Sequence, residues 1–164
     1  MPVTYILDAE TRLVRTSCIG NVTLAEVLAH LLEFEKNPNS AGEIDVFLDL
    51  SQTTSLPLGF QIAAVAEQLR KIHETVRFNA CAVVAQREAL YGMMRMFSVM
   101  AEPYFRAIRV FRGYGEAEAW LASERLPIAV LPGIRPANEP SRPPAGNSAD
   151  DSTNPLESRI GKAE

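Results

Sequence analysis

Phe78-Asn79-Ala80-Cys81-Ala82-Val83-Val84-Ala85 is apolar almost without interruption. A strand with one solvated face alternates apolar and polar residues, and this run does not. It therefore predicts a strand covered on both faces, at the centre of a parallel sheet whose crossovers lay helices over it. The flanking segments agree. Upstream, Ile62, Val65, Leu69, Ile72 and Val76 step by three and four, which predicts a helix over about 58–76. Downstream, Leu90, Met93, Met94, Phe97 and Met100 predict the inward stripe of a helix over about 87–101, stopped by Pro103.

Further out, Ile44 to Leu50 and Ala107 to Arg112 read as strands. Thr23-Leu24-Ala25-Glu26 is a capping box: the Thr23 hydroxyl accepts from an N–H of the first turn while Glu26 reaches back to the Thr23 N–H. Leu24, Val27, Leu28, Leu31 and Leu32 then follow at helical spacing until Asn37-Pro38 ends the helix. Val3 to Leu7 and Leu13 to Ile19 form two strands joined by the short polar Asp8–Arg12, as in an antiparallel hairpin. Gly113-Tyr114-Gly115 turns into a last short helix with Ala117, Trp120 and Leu121 on one face. The order ββαβαβαβα predicts an α/β fold: a mixed five-stranded sheet with an N-terminal hairpin, parallel crossovers and four helices.

The chain has 164 residues, 47 % of them hydrophobic and 22 % charged, enough apolar surface for one core without disulfides or a structural metal. The expected domain is 1–126. Seven of the eleven prolines fall in 127–164 among Gly, Ser, Asn and Asp, which predicts an extended strap near Leu126–Leu131 and then a disordered tail. Leu156 to Ile160 is the one short segment there with a docking character. Cys18 and Cys81 fit no metal-ligand spacing and read as small buried hydrophobes. The N-terminus shows no basic leader followed by an apolar stretch, and no run is long enough to cross a bilayer. The expectation is a cytoplasmic protein with no integral membrane association, for which the Asn21-Val22-Thr23 sequon has no meaning. The net charge of −4 argues against nucleic acid as a partner. Residues 1–69 carry three basic against nine acidic side chains, and residues 70–112 eight against three. That dipole would steer an anionic partner to the second half.

Catalytic and cofactor patterns fail on inspection. His30 and His73 both sit mid-helix and read as solvated or capping side chains; His73-Glu74-Thr75-Val76-Arg77 has Arg77 where a zinc helix needs its second histidine. Gly113-Tyr114-Gly115-Glu116-Ala117-Glu118 places Glu118 at the third glycine of a dinucleotide fingerprint, where its charge would repel a pyrophosphate. There is no nucleophile elbow. Asp45 and Asp49 share a strand face, but Asp49 is placed to cap the turn before Ser51. No enzyme, metal or cofactor is expected.

Ile19-Gly20-Asn21-Val22-Thr23, Phe47-Leu48-Asp49-Leu50-Ser51, Tyr91-Gly92-Met93-Met94-Arg95-Met96-Phe97 and Val110-Phe111-Arg112 with Glu116-Ala117-Glu118-Ala119-Trp120-Leu121 occur in an order and spacing that resembles SpoIIAA-like proteins. These are relatives of the STAS (anti-sigma-factor antagonist) domain and, more distantly, of CRAL-TRIO lipid-binding domains; the resemblance spans about residues 3–124. It implies a right-handed β–α superhelix with consecutive strands adjacent, and a mostly non-enzymatic role. Well-known members are switches that bind a kinase-like partner and are phosphorylated on an Asp-Ser-Ser-Gly segment after the third strand. Here Pro57-Leu58-Gly59 falls in that region and the Asp-Ser-Ser element is absent, which leaves Ser55 or Thr54 as substitutes.

Loops at the carboxyl ends of parallel strands face helix N-termini, which favour anions. Those loops supply Thr23, then Asp49, Ser51, Thr53, Thr54 and Ser55, then Gln86 and Arg87; Tyr91 and Arg95 lie on a polar stripe of the third helix with Ser98 and Glu102. These form the candidate binding set. The function expected is a non-catalytic STAS-like regulatory or protein-interaction module. The alternative is a carrier of a small or lipid-like molecule, using an apolar pocket between the sheet and the second and third helices. The partner is then a protein, or an anionic or lipid-like small molecule, and a homodimer through a sheet edge or the last helix stays open.

Overall fold

The computed structural model describes residues 1–125. The expectations for the strap, the tail and the Leu156–Ile160 segment lie outside the described residues. The chain runs β1 (Val3–Asp8), β2 (Leu13–Gly20), α1 (Leu24–Lys36), β3 (Gly42–Thr53), α2 (Gly59–Ile72), β4 (Val76–Val84), α3 (Glu88–Ala101), β5 (Phe105–Phe111) and α4 (Tyr114–Arg125), with short 3₁₀ turns at Pro38–Ser40 and Glu102–Tyr104. The sheet order is β1-β2-β3-β4-β5. β1 and β2 are antiparallel, and every later pair is parallel. This is the mixed sheet with an N-terminal hairpin that the sequence leads one to expect, and consecutive strands are neighbours, as the SpoIIAA resemblance implies.

The central run explains the layering. Ala80, Ala82 and Val84 of β4 are fully buried against Ala117, Leu121 and Trp120 of α4, on one face of the sheet. Two alanines in the middle of that face let α4 lie close to the strand. Cys81, Val83 and Ala85 point the other way, into a larger core shared with α1, α2 and α3. β4 is thus covered on both faces, which is why its sequence does not alternate.

Element ends and facings differ from the expectation in several places; β3 opens two residues early, at Gly42, and β5 runs Phe105–Phe111 rather than from Ala107 to Arg112. β3 continues through Ser51, Gln52 and Thr53 instead of ending at Leu50, because β2 also continues and pairs Ile19 with Gln52 and Gly20 with Thr53 beyond a register shift. The Thr53 hydroxyl donates to the Cys18 carbonyl at 3.0 Å and locks that extension. α2 stops at Ile72 with His73 as its C-cap, and Val76 opens β4. Ile72 and Val76 are both wholly buried, so the i, i+4 spacing marks a shared core and not a continuing helix. Met100 of α3 faces outward, 38 % exposed; Ala101 takes the inward place after Phe97. Tyr114 already belongs to α4, so the glycine turn is shorter than the sequence suggests.

At the amino ends of the strands, Arg12 adopts a left-handed conformation (φ 56°) after the β1–β2 turn. Its guanidinium donates to the carbonyls of Asn39, Ala41 and Glu43, which fixes the entry to β3. Gly42 there has φ +90°, a conformation that excludes most other residues. The Asp45 carboxylate is buried; it accepts from Asn79 Nδ2 at 2.8 Å and Ala80 N at 3.0 Å, and pairs with Arg125 Nε at 3.0 Å. It ties β3, β4 and the end of α4 together, which is a structural use of the acid considered above as half of a pair.

Candidate functional site

α1 carries an apolar stripe, yet Phe34 is its buried residue; Leu24, Val27, Leu28 and Leu31 remain half-buried. On β3, the middle strand of the sheet, Val46 and Leu48 are also only half-buried, although both face the helix layer. The two deficits have one cause. Between the sheet and helices α1, α2 and α3 lies a cavity of about 400 Å³. Val14, Thr16 and Cys18 of β2 and Val46, Leu48 and Leu50 of β3 form its floor. Val27, His30, Leu31 and Phe34 of α1 and Ile62, Val65 and Leu69 of α2 form its roof, and Leu90, Met94 and Phe97 of α3 close one side. The pocket therefore extends under α1, not only between the sheet and α2 and α3 as the sequence led one to expect.

The cavity meets the rim at the carboxyl ends of β2 and β3, where Asn21, Val22, Thr23 and Leu24, and Thr53, Ser55, Leu56 and Pro57, border it. The capping box forms there as read: Glu26 N donates to Thr23 Oγ1 at 3.3 Å, and Thr23 N to Glu26 Oε2 at 2.8 Å. Ser55 Oγ accepts from Val22 N at 3.0 Å, and Thr54 N donates to the Gly20 carbonyl at 2.8 Å. The hydroxyl-rich segment thus staples the end of β3 to the end of β2. Leu56 borders the opening; with Leu58 on the β3–α2 connection and Phe60 in the first turn of α2 it makes an apolar lip, the three being 44 %, 59 % and 66 % exposed.

The candidate binding set divides. Thr23, Thr53 and Ser55 border the cavity. Asp49 Oδ1 accepts from Ser51 N at 2.9 Å, but both lie within β3, at its register shift against β2, so the bond steadies the strand and caps no turn as the sequence had suggested; Ser51 is half-buried in β3, and Thr54 and Gln86 are exposed on the rim. Arg87 Nη1 donates to the carbonyls of Thr53, at 3.2 Å, and Thr54, at 2.7 Å. That nitrogen is committed to holding the loop rather than turned to an incoming anion. Tyr91 and Arg95 lie apart from the cavity, with Ser98 and Glu102, in an open polar groove between α3 and the edge strand β5. The Arg112 guanidinium stacks 4.3 Å from the Tyr91 ring and pairs with Glu88 at 2.7 Å.

Two residues read from sequence as bystanders belong to the cavity instead. His30 is not solvated: it lines the wall, its Nε2 3.3 Å from the Thr16 hydroxyl, with its ring edge-on to Tyr5 at 5.1 Å. Burial holds its pKa below the ordinary 6.5, against a smaller opposing pull from Glu33. Thr16, which pattern reading passed over, is buried on the floor. The signal was present in retrospect: a polar residue on the inward face of β2 and another on the inward stripe of α1. His73, by contrast, is a helix-capping residue as read, its Nδ1 2.5 Å from the Arg70 carbonyl. Cys18 and Cys81 are free and buried. Burial raises the Cys18 thiol to about 11 and pushes Cys81 up further in the same direction.

Among the described residues, no Asp, Glu, Lys or Arg lines the cavity. Among the described residues, too, no cluster of three or more His, Cys, Asp or Glu side chains is gathered for a metal, and no helix is long and apolar enough to cross a membrane.

No protein-family model matches the chain, and no curated protein does. Among solved structures it is similar to an uncharacterized protein of the DUF3478 family with a SpoIIAA-like fold, from Shewanella loihica PV-4. The identity is 16 %, the TM-score 0.48, and the match covers 73 % of this chain and 91 % of that one.

Proposed function

We propose that this domain is a non-catalytic binding module that takes up a largely apolar small molecule between its sheet and helices. The carrying observation is the incomplete burial of Val46 and Leu48 in the middle of the sheet beneath a helix layer, facing an apolar cavity of about 400 Å³. Exposed apolar surface costs about 25 cal/mol per Å², so a domain that keeps such a face open is stabilised by anything apolar that fills it. A dry cavity of about 150 Å³ already accepts benzene, and ligand pockets usually measure about 300–1,000 Å³. The Cys18 thiol, with a pKa of about 11, stays protonated near neutrality and is a poor nucleophile.

The test is a fluorescence titration with N-phenyl-1-naphthylamine, a neutral apolar probe, alongside native mass spectrometry of protein purified from its host. A saturable one-to-one rise in fluorescence, or a retained small mass, is expected. Absence of both removes the reading. A second reading, the regulatory or protein-interaction module, is favoured by the exposed lip of Leu56, Leu58 and Phe60. A stoichiometric protein partner released by Phe60→Asp, with probe binding absent from the wild type, would decide for it.

A further inference from the structure

The polar atoms of the cavity wall fall into two groups. Those at the rim are engaged locally: Thr23 with Glu26, Thr53 with the Cys18 carbonyl, Ser55 with Val22 N, and Gln61 Oε1 with Leu58 N at 2.8 Å. Asn21, also at the rim, is exposed to solvent; apart from the weakly hydrogen-bonding thiols of Cys18 and Cys81, the rest are Thr16 and His30, and they sit inside. His30 follows Thr23 by seven residues, about 10 Å along the helix at ~1.5 Å per residue. Thr16 precedes Gly20 by four, about 13 Å along the strand at ~3.3 Å per residue. One comes from the sheet and the other from the helix layer, so their 3.3 Å contact bridges floor and roof of the cavity.

The chemistry of the pair is narrow. A hydroxyl and a neutral imidazole together offer about two donors and three acceptors, and their mutual bond uses one of each. One donor and spare acceptors remain for a guest. No charged side chain lines the cavity among the described residues, so an anion brought there would be buried without a counter-charge. The rest of the wall is almost wholly apolar.

We propose that Thr16 and His30 form the polar anchor of the cavity, selecting a neutral ligand that carries one hydroxyl or carbonyl group on an apolar body. This rests on the small-molecule reading above and sharpens it: the anionic ligand expected from the rim hydroxyls and Arg87 is not what the interior takes.

The experiment compares naphthalene, 2-naphthol and 2-naphthoate at pH 7.5 by calorimetry and by displacement of N-phenyl-1-naphthylamine. The three share a ring body and differ in one substituent. Naphthol is expected to bind about 2- to 10-fold tighter than naphthalene, the return of one net hydrogen bond. Naphthoate is expected to bind at least ~10-fold more weakly than naphthol, since its charge is desolvated without a partner. The double variant Thr16→Val/His30→Leu removes both members, so neither is left unpaired. It should keep naphthalene affinity and lose the preference for naphthol. The ¹⁵N resonances of the His30 imidazole in the wild type should move with naphthol and stay with naphthalene, a readout that stands even if the double variant does not fold. Equal affinity for naphthol and naphthalene, naphthoate binding as well as naphthol, or a preference that survives the double substitution overturns the anchor while leaving the cavity reading intact. Failure of all three ligands to bind overturns both.

Discussion

Val46→Phe and Val83→Phe make the same chemical change on neighbouring strands, and the cavity predicts that they act in opposite directions. Both valines face the helix layer from β3 and β4; Val83 pairs with Leu48, two residues along from Val46. Val83 is wholly buried, whereas Val46 is half-buried against the cavity. A phenyl ring at 83 has nowhere to go. Overpacking of this kind costs about 1–3 kcal/mol. At 46 the added carbons enter open space. Each buried methylene is worth about 0.8 kcal/mol, which caps the gain near ~3 kcal/mol. Partial filling and the ordering of the ring bring that down to about 0.5–2 kcal/mol, the usual return on filling a cavity. The variants should then differ by about 1.5–5 kcal/mol, with Val46→Phe the more stable. For a domain of this size that is a separation of several degrees in Tm. Urea denaturation gives the stabilities, and unchanged m-values would show that the unfolded states are comparable. In the same samples, Val46→Phe should lose N-phenyl-1-naphthylamine binding. Equal destabilisation by both substitutions would mean that the floor of the cavity is packed in solution, and the reasoning fails.

Three further outcomes follow from the charged and titratable groups. His30 titrates below 6.5 in the folded protein and at its ordinary value when unfolded, so unfolding takes up a proton between the two. Its contribution to stability is complete above pH 6.5 and is lost as pH falls toward the folded value; urea midpoints should decline over that range in the wild type and flatten in His30→Leu. Asp45→Ala leaves Asn79, Ala80 N and the partly exposed Arg125 without their acceptor. Urea unfolding should show a loss of about 2–4 kcal/mol, and a loss below ~0.5 kcal/mol would contradict the structural role given to it. Cys18, raised to about 11, and the fully buried Cys81 should resist a thiol-specific chromogenic reagent at pH 8 until denaturant is added; rapid reaction of the native protein would show that the interior opens easily.

The fold was legible because its strongest signals are local. The non-alternating run around Ala82 states that both faces of one strand are covered, and no helix at hand could satisfy that except through parallel crossovers. The Thr23–Glu26 box and Asn37-Pro38 fix both ends of α1 within a residue, since caps and prolines act through adjacent backbone. What misled was decided at a distance. Ser51, Gln52 and Thr53 look like a loop because they are polar, and they become strand because β2 offers Ile19 and Gly20 as partners. Ile72 and Val76 keep helical spacing across a helix end because one core receives both.

The site was hidden for a deeper reason. Hydrophobic periodicity reports which way a side chain points, not whether anything meets it there. Leu24, Val27, Leu28 and Leu31 give α1 the same stripe whether it is pressed onto the sheet or held above it, and the difference is a volume between elements that no spacing encodes. The rim hydroxyls and Arg87 are chemically conspicuous in the sequence, but Thr23, Thr53, Ser55 and Arg87 hold backbone. The informative residues were the exceptions to the pattern: one threonine among the inward positions of β2, and one histidine among the inward positions of α1. A buried polar group costs stability unless it finds a partner. When two such groups from different layers find each other at 3.3 Å inside an apolar space, the sheet and the helix are sharing one polar point, and a guest that fills the space must either match it or leave it unmatched. Specificity therefore rests on Thr16 and His30 and capacity on Val46 and Leu48, so the naphthol comparison and the phenylalanine pair can fail separately.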